Sequence, residues 1–192
     1  THTSFIHSIE TIDDVGSADL TSSYPYTMVA QYFPMTRFIY IGTVNDERIL
    51  KHLLSHYCCI FDVQFTDLKP RVEFENILST SRCWNMSNVK VNNGRVISAD
   101  SISTTLTELD FENMVRFYSW SSIKVVNMRT SHRGYLPKAL IIAVLNLYES
   151  KTALKGVSGK EIEYLVSKNM INAAFGMMVT NPSNSNWRSA SR

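Results

Sequence analysis

Hydrophobic and polar positions change period several times along the chain. Phe38 to Val44 is β-branched and aromatic and predicts a strand. Asn45-Asp46 then offers a helix N-cap, Glu47 falls in the first turn, and Ile49, Leu50, Leu53 and Leu54 recur at helical spacing. Tyr57 to Phe65 alternates like a second strand. Val89 to Val91 and Arg95 to Ala99 predict two more, joined by Asn92-Asn93-Gly94, a strong hairpin signal. Residues 36 to 131 therefore predict an α+β block.

The flanks have a different character. Ser8 to Leu20 carries Ile9, Ile12 and Val15 and runs into Asp19-Leu-Thr-Ser-Ser-Tyr-Pro25, which predicts a strand, a turn, and a helix continuing through Tyr26 to Gln31. Asp110 caps a short amphipathic helix with Phe111, Met114, Val115 and Tyr118, and Ser122 to Met128 is again strand-like. Pro137 opens a long helix with Leu140, Ile141, Val144, Leu145 and Tyr148 on one face. A break at Gly156 and Gly159 precedes a helix over Lys160 to Phe175, closed by Gly176 as a C-cap. Two helices and a short turn predict an antiparallel hairpin. The Ser/Asn-rich tail from Asn181 to Arg192 is expected to fray.

Composition narrows the class. The 192 residues are 44% hydrophobic, enough for a sizeable core, and the formal charge of +2 provides no global basic field, so any contact with nucleic acid must be local. Cys58, Cys59 and Cys83 have no metal-ligand spacing, which argues against a structural zinc or a disulfide scaffold and for a reducing compartment. No stretch approaches the roughly 20 apolar residues of a membrane span. The expected location is the cytoplasm.

Asp19, closing a strand, suits a metal ligand, and phosphoryl transfer needs such carboxylates beside cations that neutralise a triphosphate. Lys151, Lys155, Lys160 and Lys168 lie on or near the helical hairpin. Asn172 and Gly176 follow Lys168 by four and eight residues and share its face, where they offer a cation to phosphates and a small, flat surface to a base pair.

These residues carry a resemblance. Asp19-Leu-Thr-Ser-Ser-Tyr24-Pro25 resembles Asp-x-x-Ser-Leu-Tyr-Pro, motif A of family B DNA polymerases. Lys168-Asn-Met-Ile-Asn172-Ala-Ala-Phe175-Gly176 resembles their motif B, Lys-x-x-x-Asn-Ser-x-Tyr-Gly. Leu106 to Asp110 and Leu136 to Thr152 resemble the protein-primed branch used by phages and linear plasmids. The resemblance implies an α+β fold: a partial palm, an antiparallel sheet with helices, followed by an inserted α+β block and a fingers subdomain built as an antiparallel helical hairpin. On that frame, 1–35 is palm with motif A, and 36–131 is palm continuation plus the insertion that contacts the priming terminal protein and duplex DNA. Residues 132–176 are fingers, and 177–192 begin the return to the palm.

The resemblance also implies roles. Asp19, helped by the Leu20 carbonyl, binds catalytic Mg2+ or Mn2+, and the amides of Ser22, Ser23 and Tyr24 meet the triphosphate while the Tyr24 ring excludes a ribose 2′-hydroxyl. Lys151 and Lys168 neutralise phosphate charge, and Asn172, Phe175 and Gly176 pack beside the nascent base pair. The implied partners are primer-template DNA, dNTPs, the terminal protein, and further polymerase segments carrying motif C and an exonuclease. Three positions depart from the pattern: Ser23 stands for the usual Leu, Ala173 for Ser and Phe175 for Tyr. No Asp-Thr-Asp motif C occurs in the chain, so the fragment alone is expected to be inactive. A catalytically inert nucleic-acid or protein-binding remnant of a split or decayed polymerase is the alternative.

Outside that resemblance, an Asp before a turn is more often a cap than a ligand, and helix lysines such as Lys155 and Lys160 are usually solvated. Asp13 and Asp14 read as surface charges. His52 and His56 have i, i+4 spacing, but Leu53 stands where a zinc protease carries Glu, so they read as surface histidines.

Overall fold

The computed structural model describes residues 23–73 and 75–178. The strand expected over Ser8 to Leu20, and with it Asp19, Leu20 and Ser22, lies outside the described residues, as does the tail from Asn181. The described chain forms two units, one of Phe33–Gly134 and one of 23–32 with 135–178.

The first unit is an antiparallel sheet with two helices. Its strands are β1 (Phe33–Pro34), β2 (Ile39–Val44), β3 (Tyr57–Pro70), β4 (Cys83–Ser87), β5 (Lys90–Asn92), β6 (Arg95–Thr107), β7 (Tyr118–Ser119) and β8 (Ser122–Gly134), with helices α2 (Glu47–His56) and α3 (Glu108–Phe117). Strand order is β1-β8-β3-β6-β4, with β2 on β8, β5 on β6 and β7 on β3. Phe61, Val63 and Phe65 of β3, Ile102 and Leu106 of β6, and Val125 and Met128 of β8 form one buried cluster with Leu50 of α2 and Met114 of α3. Both helices therefore cover the same face of the sheet.

The opposite face carries a polar seam. Asp62 stands opposite Thr105 on one side and Val126 on the other. Its carboxylate accepts from the Thr105 hydroxyl at 2.7 Å and from Asn127 Nδ2 at 2.7 Å. Asn127, at φ 53°, lies where the β3–β8 register shifts, so the bulge aims its amide along the row.

Local chemistry explains most element ends. Asp46 accepts from the Arg48 and Ile49 amides and starts α2. Asn93 and Gly94, at φ 46° and 72°, make the two-residue turn from β5 to β6. Three expectations are corrected. The cap of α3 is Thr107, while Asp110 closes a capping box by bonding back to the Thr107 amide. Tyr118 belongs to β7 rather than to the helix face: it is fully buried and donates to the Val96 carbonyl at 2.6 Å. β6 and β8 continue to Thr107 and Gly134, well past Ala99 and Met128. Thr104 disguises β6 because it occupies a core position, where its hydroxyl is satisfied by the Arg82 carbonyl at 3.0 Å.

The second unit contains α1 (Ser23–Ala30), α4 (Lys138–Leu154) and α5 (Glu161–Met178), and each packs on the other two. Buried Met28, Val144 and Ile171 mark the inner stripes. Gly156 and Gly159, both at φ 79°, form the break between α4 and α5. Two details differ from expectation. α5 runs through Gly176 to Met178, so that glycine is not a C-cap. Leu145, next to buried Val144, is 47% exposed, since one residue along a helix turns the side chain about 100°. Among the described residues, no helix is long and apolar enough to cross a membrane.

Candidate functional site

The described candidate residues all belong to the second unit. Ser23 and Tyr24 open α1 and are exposed, whereas Pro25 and Met28 are buried and anchor the helix against its neighbours. The anchoring side leaves the first residues facing solvent, with the Tyr24 ring 50% exposed. Thr27 returns its hydroxyl to the Ser23 carbonyl at 2.9 Å, tying the first turn to itself.

Lys151 lies in the last turn of α4, where a cation complements the negative end of the helix dipole. Its ammonium sits 5.5 Å from the centroid of the Tyr148 ring, within cation–π range. Tyr148 was expected only as part of an apolar face. Its three-residue spacing from Lys151 is the sequence signal for the pairing.

On α5 the repeat of Lys168, Asn172 and Gly176 falls on one side. Lys168 and Asn172 are exposed, Gly176 is half-buried, and Ile171 points inward. A Cβ added at Gly176 meets no atom within 4 Å among the described residues. Phe175 lies in the same helix. Lys160 pairs with Glu163 at 2.6 Å and Lys155 is exposed, in keeping with their reading as surface cations.

Three helices with a tyrosine and two lysines can offer cations and polar atoms to an anionic ligand. Metal chemistry is another matter. Among the described residues, no group of three or more His, Cys, Asp or Glu side chains could hold an ion. The expected ligands Asp19 and Leu20 lie outside the described residues, and one carboxylate is an incomplete donor set for a two-metal centre.

No family model and no curated protein matches the sequence. Solved structures do match. Phi29 DNA polymerase complexed with primer-template DNA and incoming nucleotide substrates is similar at a TM-score of 0.64 and 16% identity, over 85% of this chain and 26% of that one. Its binary complex with primer-template DNA gives 0.62 and 16%, over 85% and 25%. The complex with single-stranded DNA gives 0.53 and 15%, over 83% and 24%. The chain thus spans about a quarter of the polymerase it resembles, and at this identity the likeness is one of fold: a mixed α+β fold similar to that of part of a DNA polymerase.

Proposed function

We propose that the chain is the motif A to motif B portion of a protein-primed family B DNA polymerase, which extends a terminal-protein or DNA primer with deoxynucleotides. The observation that carries this reading is the packing of α1, which holds Ser23-Tyr24-Pro25, against α5, which holds Lys168 to Gly176, in a chain whose fold is similar to phi29 DNA polymerase. Ser23-Tyr24-Pro25 and Lys168 to Gly176, far apart in sequence, belong to helices that pack on each other, which supports a shared nucleotide site.

In this reading the amides of Ser22, Ser23 and Tyr24 meet the triphosphate, and Lys151 and Lys168 neutralise its charge. Tyr24 rejects ribose by steric clash. Asn172, Phe175 and Gly176 form the surface beside the base pair. Asp19 and the Leu20 carbonyl are the ligands for Mg2+ or Mn2+, which supplies Lewis-acid polarisation of the phosphate, and the second carboxylate must come from a motif C outside this sequence. Residues 1–35 serve as palm, 36–131 as palm continuation with a block for terminal protein and duplex DNA, 132–176 as fingers, and 177–192 as the return to the palm. The proposed setting is the cytoplasm.

The test is primer extension by the complete polymerase gene product. Asp19→Ala abolishes extension while circular dichroism is unchanged, and Lys168→Ala raises KM for dNTP about tenfold or more, the scale of a lost charge-assisted bond. Lys160→Ala, whose ammonium is paired with Glu163, leaves both parameters near wild type. Extension by Asp19→Ala at the parental rate refutes the metal assignment. The alternative is a catalytically inert nucleic-acid or protein-binding remnant of a split or decayed polymerase. It predicts salt-dependent gel-shift binding of primer-template, with no synthesis even when the remaining segments are added back.

A further inference from the structure

The last turn of α2 brings His52 and His56 together, as their i, i+4 spacing allows. Their rings stack with centroids 4.3 Å apart and planes inclined by 27°, and both residues are exposed. His56 Nδ1 lies 2.9 Å from the His52 carbonyl and 2.8 Å from the Ser55 hydroxyl, and that hydroxyl in turn donates to the same carbonyl at 3.1 Å. A carbonyl oxygen only accepts, so Nδ1 carries the proton and the lone pair of a neutral His56 ring sits on Nε2. Metal-binding histidines are oriented in this way, the far nitrogen donating to a backbone carbonyl. Among the described residues the His52 ring has no hydrogen-bond partner, so its nitrogens are free for a ligand.

Two further features favour a cation here. The pair occupies the C-terminal end of α2, where the helix dipole is negative. The basic neighbours on the helix are engaged elsewhere, Arg48 with Asp46 and Lys51 with Glu47. A metal binds imidazole nitrogens at about 2.0–2.1 Å, so two ligating nitrogens stand about 3 Å apart. The stacked rings, inclined by 27°, send their in-plane lone pairs along nearly parallel lines, so both exposed side chains turn about their own bonds to converge on one ion, as histidines four apart on a helix can.

We propose that His52 and His56 form a two-imidazole site for a divalent transition-metal cation of the nickel, copper and zinc group, with water completing the coordination. Such ions prefer nitrogen donors, whereas Mg2+ prefers oxygen. α2 passes into β3 without a loop, at His56–Tyr57, so a bound ion pins the last turn of the helix where the sheet begins. The site is independent of the polymerase reading and stands or falls apart from it.

Calorimetric titration of the chain with NiCl2 near neutral pH tests the site, with thermal melts in NiCl2 and in MgCl2 beside it. The expected result is one saturable Ni2+ site whose affinity falls about tenfold or more in His52→Ala and in His56→Ala, and is kept in His132→Ala. Ni2+ at about ten times Kd raises the melting midpoint by a few degrees, of order 3 °C, and MgCl2 does not. Both substitutions are at exposed positions, and far-UV circular dichroism checks that they leave the fold intact. Equal Ni2+ affinity in the parent and the two variants, or no saturable binding in the parent, overturns the proposal.

Discussion

Cys58 and Cys59 are neighbours on β3, both buried and both free thiols. Burial pushes Cys58 up to about 11 and Cys59 up to about 12, and the Glu108 carboxylate adds to both shifts. Glu108 is held there because it accepts the Cys59 amide at 2.7 Å. An unfolded thiol titrates near 8.5, so above that pH the unfolded chain releases protons that the native chain retains. The stabilisation is complete below about pH 8.5 and is lost as pH rises toward 11 to 12. The urea midpoint is expected to fall between pH 8.5 and 11, and a double Cys58→Ala, Cys59→Ala variant to show a shallower fall. Equal slopes would remove the thiols from the account. A second prediction concerns Tyr118, whose buried hydroxyl donates to Val96 and accepts the Leu78 amide at 3.5 Å. Tyr118→Phe leaves both backbone groups unsatisfied and costs about 1–3 kcal/mol in denaturant unfolding.

Among the elements, α3 depends on a reciprocal cap that two side chains share. Thr107→Ala removes the acceptor for the Asp110 amide and is expected to cost about 1 kcal/mol, whereas Thr107→Ser costs little. If the alanine and serine variants unfold at the same denaturant concentration, the capping box contributes nothing. The β5–β6 turn makes a contrasting case. A Cβ at Gly94 meets no atom, so Gly94→Ala is sterically free, yet φ 72° strains any L side chain. A loss of about 1 kcal/mol is expected from backbone conformation alone. Parental stability in Gly94→Ala would show that the turn relaxes. These elements were legible because their signals are local: Asp46 before an apolar helix stripe, and Asn-Gly between β-forming runs.

For the whole molecule, the decisive quantity is how much of a polymerase this chain represents. The phi29 polymerase chain it resembles is about three times as long, since 85% of this chain covers 26% of that one. Under the proposed polymerase function, synthesis is expected only when segments supplying the second carboxylate are present, and the isolated chain should show none. Mixing the chain with those segments and measuring incorporated dNTP separates a split enzyme from an inert remnant. Continued absence of synthesis with every segment folded would favour the remnant.

The Asp46 cap and the Asn93-Gly94 turn could be read from neighbouring residues, because helix and hairpin starts depend on bonds that span two to four positions. The α+β class was legible for the same reason, from alternation in Tyr57 to Phe65 and helical spacing in Ile49 to Leu54. The extent of β6 and β8 was not, since Thr104 and Ser131 are buried polar residues whose hydroxyls bond to backbone far off in sequence, that of Arg82 and of Thr36. The length of α5 beyond Gly176 also escaped the local signal, as a glycine that can end a helix is carried through when the helix goes on making its own bonds. Tertiary structure alone decided that α1 packs on α4 and α5. Sequence spacing brings residues to a common side of an element, but which sides meet depends on burial summed over the whole chain.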